Sequence, residues 1–566
     1  MRAARLLAAL PAALLASALL VWIWTWASAA PEPSSWRVVW REPPLVFSWS
    51  TFFDFSDRDN HVGFRLLRLV LLALPGVDFD RQALLSWVLA VGCVVAVGRE
   101  ARRLVSGAGV AGRIAFCSVL TLAAALLLSP GFGATWLLAE RVRLMVPAAA
   151  LFAVLAVLRQ RRAWPLRFAI AAALTWFAVV TAPAGAAIWL AALPMVTAMA
   201  AAAGDRRRTL AWVAAWCLLG NLGPALCYDE PHLGLGLGAA LREAPLRLCT
   251  LLASVAGRSL PELLEDVAVD RWCVGAVLWL ALAGLATAVV RRRDAASRQA
   301  LPWLCMALFG AIEVVVIAHF SWDLSDADPL LMERCYGISL LPIGLAGGVW
   351  ALMPPAVLAA RWWRGAAVGV AVALGVLSVL DWRRGLDRLR VEGALLRQGE
   401  AVAVFVEADP PVVGPAVAPL APLPLAPLRA ALRATGRMRH TTPVGSLALA
   451  ALVEGPAARG AFLQATAQLA VGAVATNVGG RCADAILVVR ERDHDRAEIV
   501  QVSVPDVLKR TPVVSWAAPL DTVSPLVEGD VVRAYAFDVR QRVVGRLPGA
   551  FRYTGGAFVS VPEAGG

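Results

Sequence analysis

Charged residues are scarce in this chain. Asp, Glu, Lys and Arg make up 17% of its 566 residues, hydrophobic residues make up 59%, and the mean hydropathy is +0.67. An ordinary soluble domain is about 45–50% apolar and about 25% charged. The composition therefore predicts an integral membrane protein that is mainly α-helical.

Lysine is almost absent, since Lys509 is the single lysine among 53 basic residues. The other basic residues are arginines, and they occur in short runs between apolar segments. Basic residues in such positions set the orientation of membrane helices. The net charge of +12 is therefore no indication of nucleic-acid binding.

Motifs of several soluble enzyme classes are also missing. The chain has no G-x-S-x-G, H-E-x-x-H, Walker or kinase signature, so hydrolase, metalloprotease and ATP-driven activities have no support. Its nine cysteines form no C-x-x-C pair and no Cys/His cluster with zinc-ligand spacing. Neither a metal-thiolate site nor a disulfide framework is therefore expected.

Long apolar runs are what the chain has in abundance. Each is long enough, or nearly so, to cross a bilayer as a helix that rises 1.5 Å per residue. The runs cover residues of about 6–26, 82–98, 114–130, 144–158, 168–182, 184–203, 209–227, 272–290, 301–320, 338–358 and 366–380. We therefore predict about eleven transmembrane helices.

The first run allows a second interpretation. Ala27, Ser28 and Ala29 resemble the small-residue cleavage site of a signal peptide. However, the run spans about 20 residues and ends in Trp22, Trp24 and Trp26, which suit the membrane interface. A retained first helix is the favoured prediction.

Basic residues fall in alternate loops of this arrangement. The groups are Arg2 and Arg5; Arg99, Arg102 and Arg103; Arg159, Arg161 and Arg162; Arg206, Arg207 and Arg208; Arg291, Arg292 and Arg293; and Arg361 and Arg364. The positive-inside rule makes these loops and the N-terminus cytoplasmic. The C-terminal tail is then extracytoplasmic if the run at 366–380 crosses, and cytoplasmic if it does not.

The composition changes after the predicted transmembrane domain, residues 1–390. Residues 391–465 are predicted to form a linker with a helical segment near 444–452, because the proline-rich stretch 410–428 cannot continue a helix or sheet. Within residues 466–566, apolar and polar residues alternate in segments that begin at Ala485, Ala497, Asp530 and Phe551. This period of two predicts a small β-sandwich-like domain.

The first external loop carries Asp57, Asp59 and His61. Side chains two residues apart lie on the same side of an extended chain. Two carboxylates so placed can bind a divalent cation, or one of them can have a raised pKa and act as a base. Solvated loop acids are the alternative, because Asp-x-Asp recurs elsewhere in the chain. Arg65 follows on a predicted amphipathic surface helix.

Three further residues are candidates for a site. Glu313 lies inside the apolar run 301–320, where an ionisable group costs about 2.5–3.5 kcal/mol on insertion scales and normally faces a polar cavity or a partner. Its alternative role is a structural hydrogen bond to another helix. Arg141 and Arg334 precede apolar runs on the external side, where each could hold a phosphate or form a plain ion pair.

The layout resembles the polytopic membrane glycosyltransferases of the GT-C fold. The shared features are a first helix that enters from the cytoplasm, aspartates in the first external loop before an amphipathic segment, about eleven spans and an external C-terminal domain. The resemblance covers about residues 1–390, although the loop lacks the adjacent Asp-Glu pair of the commonest family pattern. The chain is also similar to uncharacterised bacterial membrane proteins with a β-rich C-terminal domain.

The resemblance implies a reaction and roles for the candidate residues. Asp57 or Asp59 would be the catalytic base or a metal ligand, and a sugar on a polyprenyl phosphate would be the donor. The residues expected to bind substrate or phosphate are His61, Arg65, Arg141, Glu313 and Arg334. No metal site is assigned and the cofactor is left open, since a divalent cation would fit the aspartates.

The predicted function is therefore transfer of a sugar from a polyprenyl-phosphate donor to an envelope acceptor on the extracytoplasmic side. The expected partners are membrane lipids, the donor and the acceptor, with no nucleic acid. One alternative is a non-catalytic envelope scaffold whose tail binds carbohydrate or a partner. Another is a lipid or solute transporter that uses Glu313.

Overall fold

A computed structural model of the chain describes most, but not all, of its residues. These are residues 2–27, 79–104, 109–137, 139–227, 245–257, 271–292, 294–320, 336–354, 357, 361–405, 448–475, 483–492, 496–505, 513–520 and 526–562. Five of the predicted site residues lie outside them: Asp57, Asp59, His61, Arg65 and Arg334. The proline-rich stretch 410–428 lies outside them as well.

The chain divides into two units. The first, here called the helical unit, comprises Met1–Thr25, Ser48–Val77 and Gln82–Arg388. The second, here called the strand unit, comprises Trp26–Phe47, Asp78–Arg81 and Leu389–Gly566. A mainly helical chain with a strand-rich C-terminal part was the predicted fold class, and at this level it is confirmed.

Most helices of the helical unit coincide with the predicted apolar runs, whereas the helices Ala134–Leu137 and Pro245–Gly257 lie outside those runs. The helices are α1 (Arg2–Trp26), α2 (Phe79–Leu104), α3 (Gly109–Leu127), α4 (Ala134–Leu137), α5 (Val146–Leu158), α6 (Trp164–Thr181), α7 (Ala187–Ala191), α8 (Leu193–Ala203), α9 (Arg206–Cys227), α10 (Pro245–Gly257), α11 (Arg271–Arg291), α12 (Ala295–Phe320), α13 (Leu340–Leu352) and α14 (Arg361–Val404). Each of the eleven runs contains helical residues, because a long apolar segment in lipid must satisfy its backbone hydrogen bonds internally.

Six segments of the described chain are long and apolar enough to cross a membrane. They are Ala83–Leu104, Gly112–Phe132, Trp164–Thr181, Ala184–Ala203, Trp272–Arg291 and Ala295–Ala318. Other apolar helices are shorter: α5 has 13 residues, or about 20 Å, against about 30 Å of hydrocarbon. A membrane-embedded helical protein is therefore supported, whereas eleven spans stays a prediction.

Glycines bring α12 and α13 into close contact. A Cβ atom on Gly310 would lie 2.4 Å from the Leu341 nitrogen, and one on Gly344 would lie 2.4 Å from the Ala307 nitrogen. The two backbones can approach because these positions carry no side chain. Close approach increases van der Waals packing, which is a main source of helix association in lipid.

Helix ends that the positive-inside rule assigns to one side are neighbours in the helical unit. On the predicted cytoplasmic side, Arg159 after α5 forms an ion pair with Glu100 of α2. On the same side, Arg292 Nη1 donates to the Leu352 carbonyl at the end of α13, at 2.7 Å. In each of these two contacts, both helix ends belong to the side that the positive-inside rule predicts to be cytoplasmic.

The described residues of the strand unit form nine strands in two sheets. They are β1 (Val453–Glu454), β2 (Gly460–Ala465), β3 (Leu469–Ala475), β4 (Ala485–Arg492), β5 (Arg496–Ser503), β6 (Val513–Pro519), β7 (Val531–Asp538), β8 (Val543–Thr554) and β9 (Ala557–Ser560). One sheet has the order β1-β8-β7-β4-β5 with β9 on β8, and the other has the order β2-β3-β6. Only β1 and β8 pair in parallel among these strands.

Both sheets contribute to one apolar core, which includes Phe462 and Trp516 from one sheet and Val488 and Val532 from the other. The alternating segments predicted from Ala485, Ala497, Asp530 and Phe551 correspond to β4, β5, β7 and the β8–β9 hairpin.

Part of the range predicted as linker, residues 391–465, is regular structure. The helix α14 continues to Val404, and β1 and β2 lie at 453–465. Near 444–452 the described residues contain the 3₁₀ turn Leu449–Ala451 rather than an α-helix. The strands β1 and β2 pair with β8 and β3, so their structure depends on partners that a local pattern does not reveal.

Candidate functional site

Buried polar side chains gather in the helical unit where its backbone is irregular. After α3 the chain forms the 3₁₀ turns Pro130–Phe132 and Ala139–Leu144, and before α13 it forms the 3₁₀ turn Tyr336–Ser339. Irregular backbone at membrane depth is tolerated only where protein buries it or where it lines a water-filled cavity. We call five buried residues in and beside these turns the turn cluster: Ser129, Arg141, Glu313, Tyr336 and Asp381. Thr135 and Ser339 are buried in the same region.

Ser129 connects α14 to the first of these turns. Its hydroxyl donates to Asp381 Oδ2 at 3.0 Å and accepts the Gly131 N–H at 3.1 Å. Gly385 lies one helical turn after Asp381, and a Cβ there would be 2.6 Å from the Gly131 nitrogen. The hydrogen bond of the Asp381 carboxylate and the absence of a side chain at Gly385 therefore allow α14 to pack closely on the turn Pro130–Phe132.

Tyr336 joins this turn to the one before α13. Its hydroxyl donates to the Leu127 carbonyl at 2.6 Å. Its ring centroid lies 5.0 Å from that of Phe132 and 6.4 Å from that of Trp136. Aromatic pairs in this range add about 0.5–1.5 kcal/mol each beyond the burial of their area. Ring contacts and a hydrogen bond thus fix Tyr336 between the two turns.

Glu313 lies against the turn that contains Tyr336. A Cβ on Gly337 would be 3.1 Å from Glu313 Cγ and 2.4 Å from Phe309 Cε1, so only glycine allows this approach to α12. The Glu313 side chain is 1% exposed. It precedes the helix end at Phe320 by seven residues, or about 10 Å. The sequence left a polar cavity, a partner and a structural hydrogen bond open for Glu313, and its role stays a prediction.

Arg141 lies on the 3₁₀ turn Ala139–Leu144, and its side chain is 7% exposed. A buried guanidinium must be matched by hydrogen-bond acceptors or by an anion, because burying an unmatched charge is very costly. The sequence left a phosphate site and an ion pair open for this residue. Its burial agrees with both.

The structure adds residues that the sequence analysis did not select. Of the predicted site residues, Arg141 and Glu313 are described, and the roles assigned to them stay predictions. Ser129, Tyr336 and Asp381 were not predicted. Two signals could have indicated them: Asp381 follows directly on the apolar run 366–380, and Ser129 precedes a Pro-Gly turn.

Among the described residues, no group of three or more His, Cys, Asp or Glu side chains could hold a metal ion. The aspartates that would admit a divalent cation, Asp57 and Asp59, lie outside those residues.

The strand unit has a buried carboxylate of its own. Asp484, just before β4, accepts the Val539 N–H at 3.0 Å, and its Oδ1 lies 4.0 Å from Arg397 Nη1 of α14. Burial raises the pKa of Asp484 to about 7, although the Arg397 guanidinium opposes this shift and the Asp538 carboxylate adds to it.

The end of α1 also belongs to the strand unit. The Arg397 guanidinium lies 4.8 Å from the ring centroid of Trp26, and Arg540 donates to the Ala27 carbonyl. A Cβ on Gly393 would be 2.9 Å from Trp26 Cβ, so Trp26 packs against α14 at a position that has no side chain. These contacts join the end of α1 to α14 and to the segment after β7.

The chain has no match among protein-family models, curated proteins or solved structures. The resemblance to GT-C glycosyltransferases therefore stays a prediction from the sequence.

Proposed function

We propose that this protein is a membrane glycosyltransferase that transfers a sugar from a polyprenyl-phosphate donor to an envelope acceptor, outside a bacterial inner membrane. The turn cluster is the observation that carries the proposal, because it gathers polar groups within a unit of apolar helices. A lipid-linked sugar keeps its tail in the bilayer and its phosphate and sugar at the surface. A site for it therefore needs polar groups beside apolar helix surfaces.

In the proposed reaction a carboxylate removes the proton from an acceptor hydroxyl, and the oxygen attacks the anomeric carbon of the sugar. The bond between this carbon and the phosphate oxygen breaks, and its electron pair stays on the phosphate. Asp57 or Asp59 is the proposed base. The departing lipid phosphate gains charge and needs a cation nearby, for which Arg65, Arg141 and Arg334 are proposed.

The burial of Arg141 supports its part in this scheme. A guanidinium that is already held in place stabilises developing charge without reorganisation during the reaction. Its planar fork also matches two phosphate oxygens, which a lysine ammonium does not. Arg141 is therefore the first arginine to test.

Glu313 is proposed to bind hydroxyl groups of the sugar or acceptor. An ionised carboxylate only accepts hydrogen bonds, and sugar hydroxyls can donate them. Negative charge repels a phosphate, so we assign Glu313 to the sugar part of the substrate.

A lipid or solute transporter is the second candidate. The burial of two carboxylates in the helical unit, Glu313 and Asp381, favours it. Carboxylates within transmembrane segments often form proton or ion pathways. Such a protein would form no glycosylated product, and its transport would depend on Glu313.

Transfer from radiolabelled polyprenyl-phosphate sugars in membranes that carry the intact protein tests the proposal. We compare Asp57→Asn, Asp59→Asn, Arg141→Gln and Glu313→Gln, each at equal protein level. Arg207→Gln is the matched control, because Arg207 is exposed at the start of α9. Loss of a general base is expected to lower the rate by about 10²–10⁴-fold.

The expected result is a labelled product with the intact protein and the control, and much less with Arg141→Gln and with one aspartate variant. If no donor yields a product, the glycosyltransferase proposal is refuted. Uptake or flipping that requires Glu313 would then select the transporter.

A further inference from the structure

We infer that Asp381 is a positioning residue for the candidate site: through Ser129 it holds the turn Pro130–Phe132, and through that turn it sets Tyr336 and Gly337 against Glu313. The catalytic part of this inference rests on the proposed function. The structural part stands on contacts within the helical unit and can be tested without any assay of activity.

The first step is the hydrogen bond between Ser129 and Asp381. Both residues are buried, with 5% and 2% of their surface exposed. A serine hydroxyl has one proton, and here that proton is donated to the carboxylate. The lone pairs of the hydroxyl are then left to accept the Gly131 N–H, which caps the turn. The carboxylate thus determines which way the capping hydroxyl points.

The second step leads from the capped turn to Tyr336. The ring of Phe132, in the turn, lies 5.0 Å from the Tyr336 ring. The Trp136 indole donates to the Ser129 carbonyl at 2.7 Å, and its ring lies 6.4 Å from that of Tyr336. A shift of Ser129 would therefore move two of the rings that contact Tyr336.

The third step leads from Tyr336 to Glu313. Tyr336 is followed by Gly337, which approaches Glu313 and Phe309 so closely that no side chain fits between them. Packed interiors at such density transmit a displacement instead of absorbing it. Within the described part of the chain, these contacts link Asp381 to Glu313 through intermediates, so we assign Asp381 a positioning role and not contact with a substrate.

The choice of residue also points to this role. A buried charged group is often replaceable by an apolar residue of similar volume without loss of stability. Packing α14 on the turn would therefore not require an acid. Orientation of the Ser129 hydroxyl does require a hydrogen-bond acceptor at this position, which the side-chain oxygen of Asp381 supplies and an apolar residue cannot.

Hydrogen–deuterium exchange of the full-length protein in lipid nanodiscs tests the structural part. The variants are Asp381→Ala, Asp381→Asn, Ser129→Ala and the Asp381→Ala/Ser129→Ala double variant. Asp387→Ala is the matched control, because Asp387 is exposed on the same helix. The reporter is the segment 128–137, and the α6 segment 164–181 reports general loosening.

We expect Asp381→Ala and Ser129→Ala each to raise exchange in 128–137 by about tenfold or more, a shift of 1.4 kcal/mol or more, with no further rise in the double variant. Asp381→Asn still offers an oxygen to Ser129 and should stay within about threefold of the native protein. If Asp381→Ala does not fold, Ser129→Ala removes the same hydroxyl and carries the test.

Two results would overturn the inference. One is native exchange in 128–137 when Ser129 or Asp381 is changed. The other is an equal rise in the α6 segment or in Asp387→Ala, which would show general loosening.

Kinetics then test the link to catalysis. We expect kcat to fall in Asp381→Ala and Ser129→Ala, with KM for the donor changed by less than about threefold, and Asp381→Asn to restore kcat. Normal kcat with a loosened turn would overturn the positioning role. If the native protein transfers no sugar, the proposed function fails, and the exchange data alone then decide whether Asp381 positions the turn.

Discussion

Replacement of Asp484 by asparagine tests the electrostatics of the strand unit. The Asp484 carboxyl is 3% exposed, accepts the Val539 N–H and has its Oδ1 atom 4.0 Å from Arg397 Nη1. Burial raises its pKa from 3.8 to about 7. Asparagine keeps the shape and an oxygen for the Val539 N–H, but it cannot ionise.

The sign and size of the effect follow from this pKa. Because the folded-state pKa is raised, the folded state binds the proton more tightly than the unfolded state. The resulting stability is fully present below pH 3.8 and is lost as the pH rises through about 7. A shift of about 3 units corresponds to at most about 4 kcal/mol, since one unit is 1.36 kcal/mol.

Pulse proteolysis of the full-length protein in nanodiscs, across a urea series at pH 5, 6, 7 and 8, measures how the unfolding free energy of the strand unit depends on pH. A C-terminal tag reports whether the strand unit survives. We expect the native protein to lose stability relative to Asp484→Asn as the pH rises, with the largest difference at pH 8. Equal pH dependence of the two proteins would refute the argument that burial, and not Arg397, dominates the pKa of Asp484.

Three further predictions concern packing, buried polarity and orientation. Gly337→Ala should lower the thermal midpoint in detergent, because its Cβ would lie 2.4 Å from an α12 side chain, whereas Gly365→Ala, in open space, should leave the midpoint unchanged or raise it. Gln501→Leu should raise the unfolding free energy of the strand unit by about 1–3 kcal/mol in the urea assay, because the buried amide of Gln501 has no hydrogen-bond partner among the described residues. A decrease would indicate that a bound water satisfies it. In a protein whose nine native cysteines are replaced by serine, Leu463→Cys, at a side chain 63% exposed, should react with a membrane-impermeant maleimide in intact cells, while Arg207→Cys should not; the reverse pattern would contradict the predicted orientation.

The helices and several strands were predictable because their signals are local. In lipid the backbone must bond within its own segment, so an apolar run as long as 301–320 can only be helical. Alternation likewise indicated β4 and β7, whose buried residues face a shared core. The strands β1 and β2 were missed because they are short and their pairing partners lie elsewhere in the chain.

The candidate site was predictable only in part. Glu313 could be selected from the sequence because a carboxylate inside an apolar run has an unfavourable free energy of membrane insertion. Asp381 gave no such signal, because an acid at the end of an apolar run is equally consistent with a solvated helix end. Asp381 is a candidate because its carboxylate accepts the hydrogen bond of the Ser129 hydroxyl, and Ser129 lies 252 residues away in the chain.

The sequence by itself determined a hydrophobic helical chain, basic residues in alternate loops and a strand-rich tail. Composition, the order of charged loops and the period of apolar residues can all be determined from residues that are near one another in the chain. Only the tertiary structure decided which polar side chains meet. Tyr336 bonds to Leu127 across 209 residues, and Arg540 bonds to Ala27 across 513. Such contacts depend on how helices and strands pack, and packing brings together residues whose local patterns carry no information about each other.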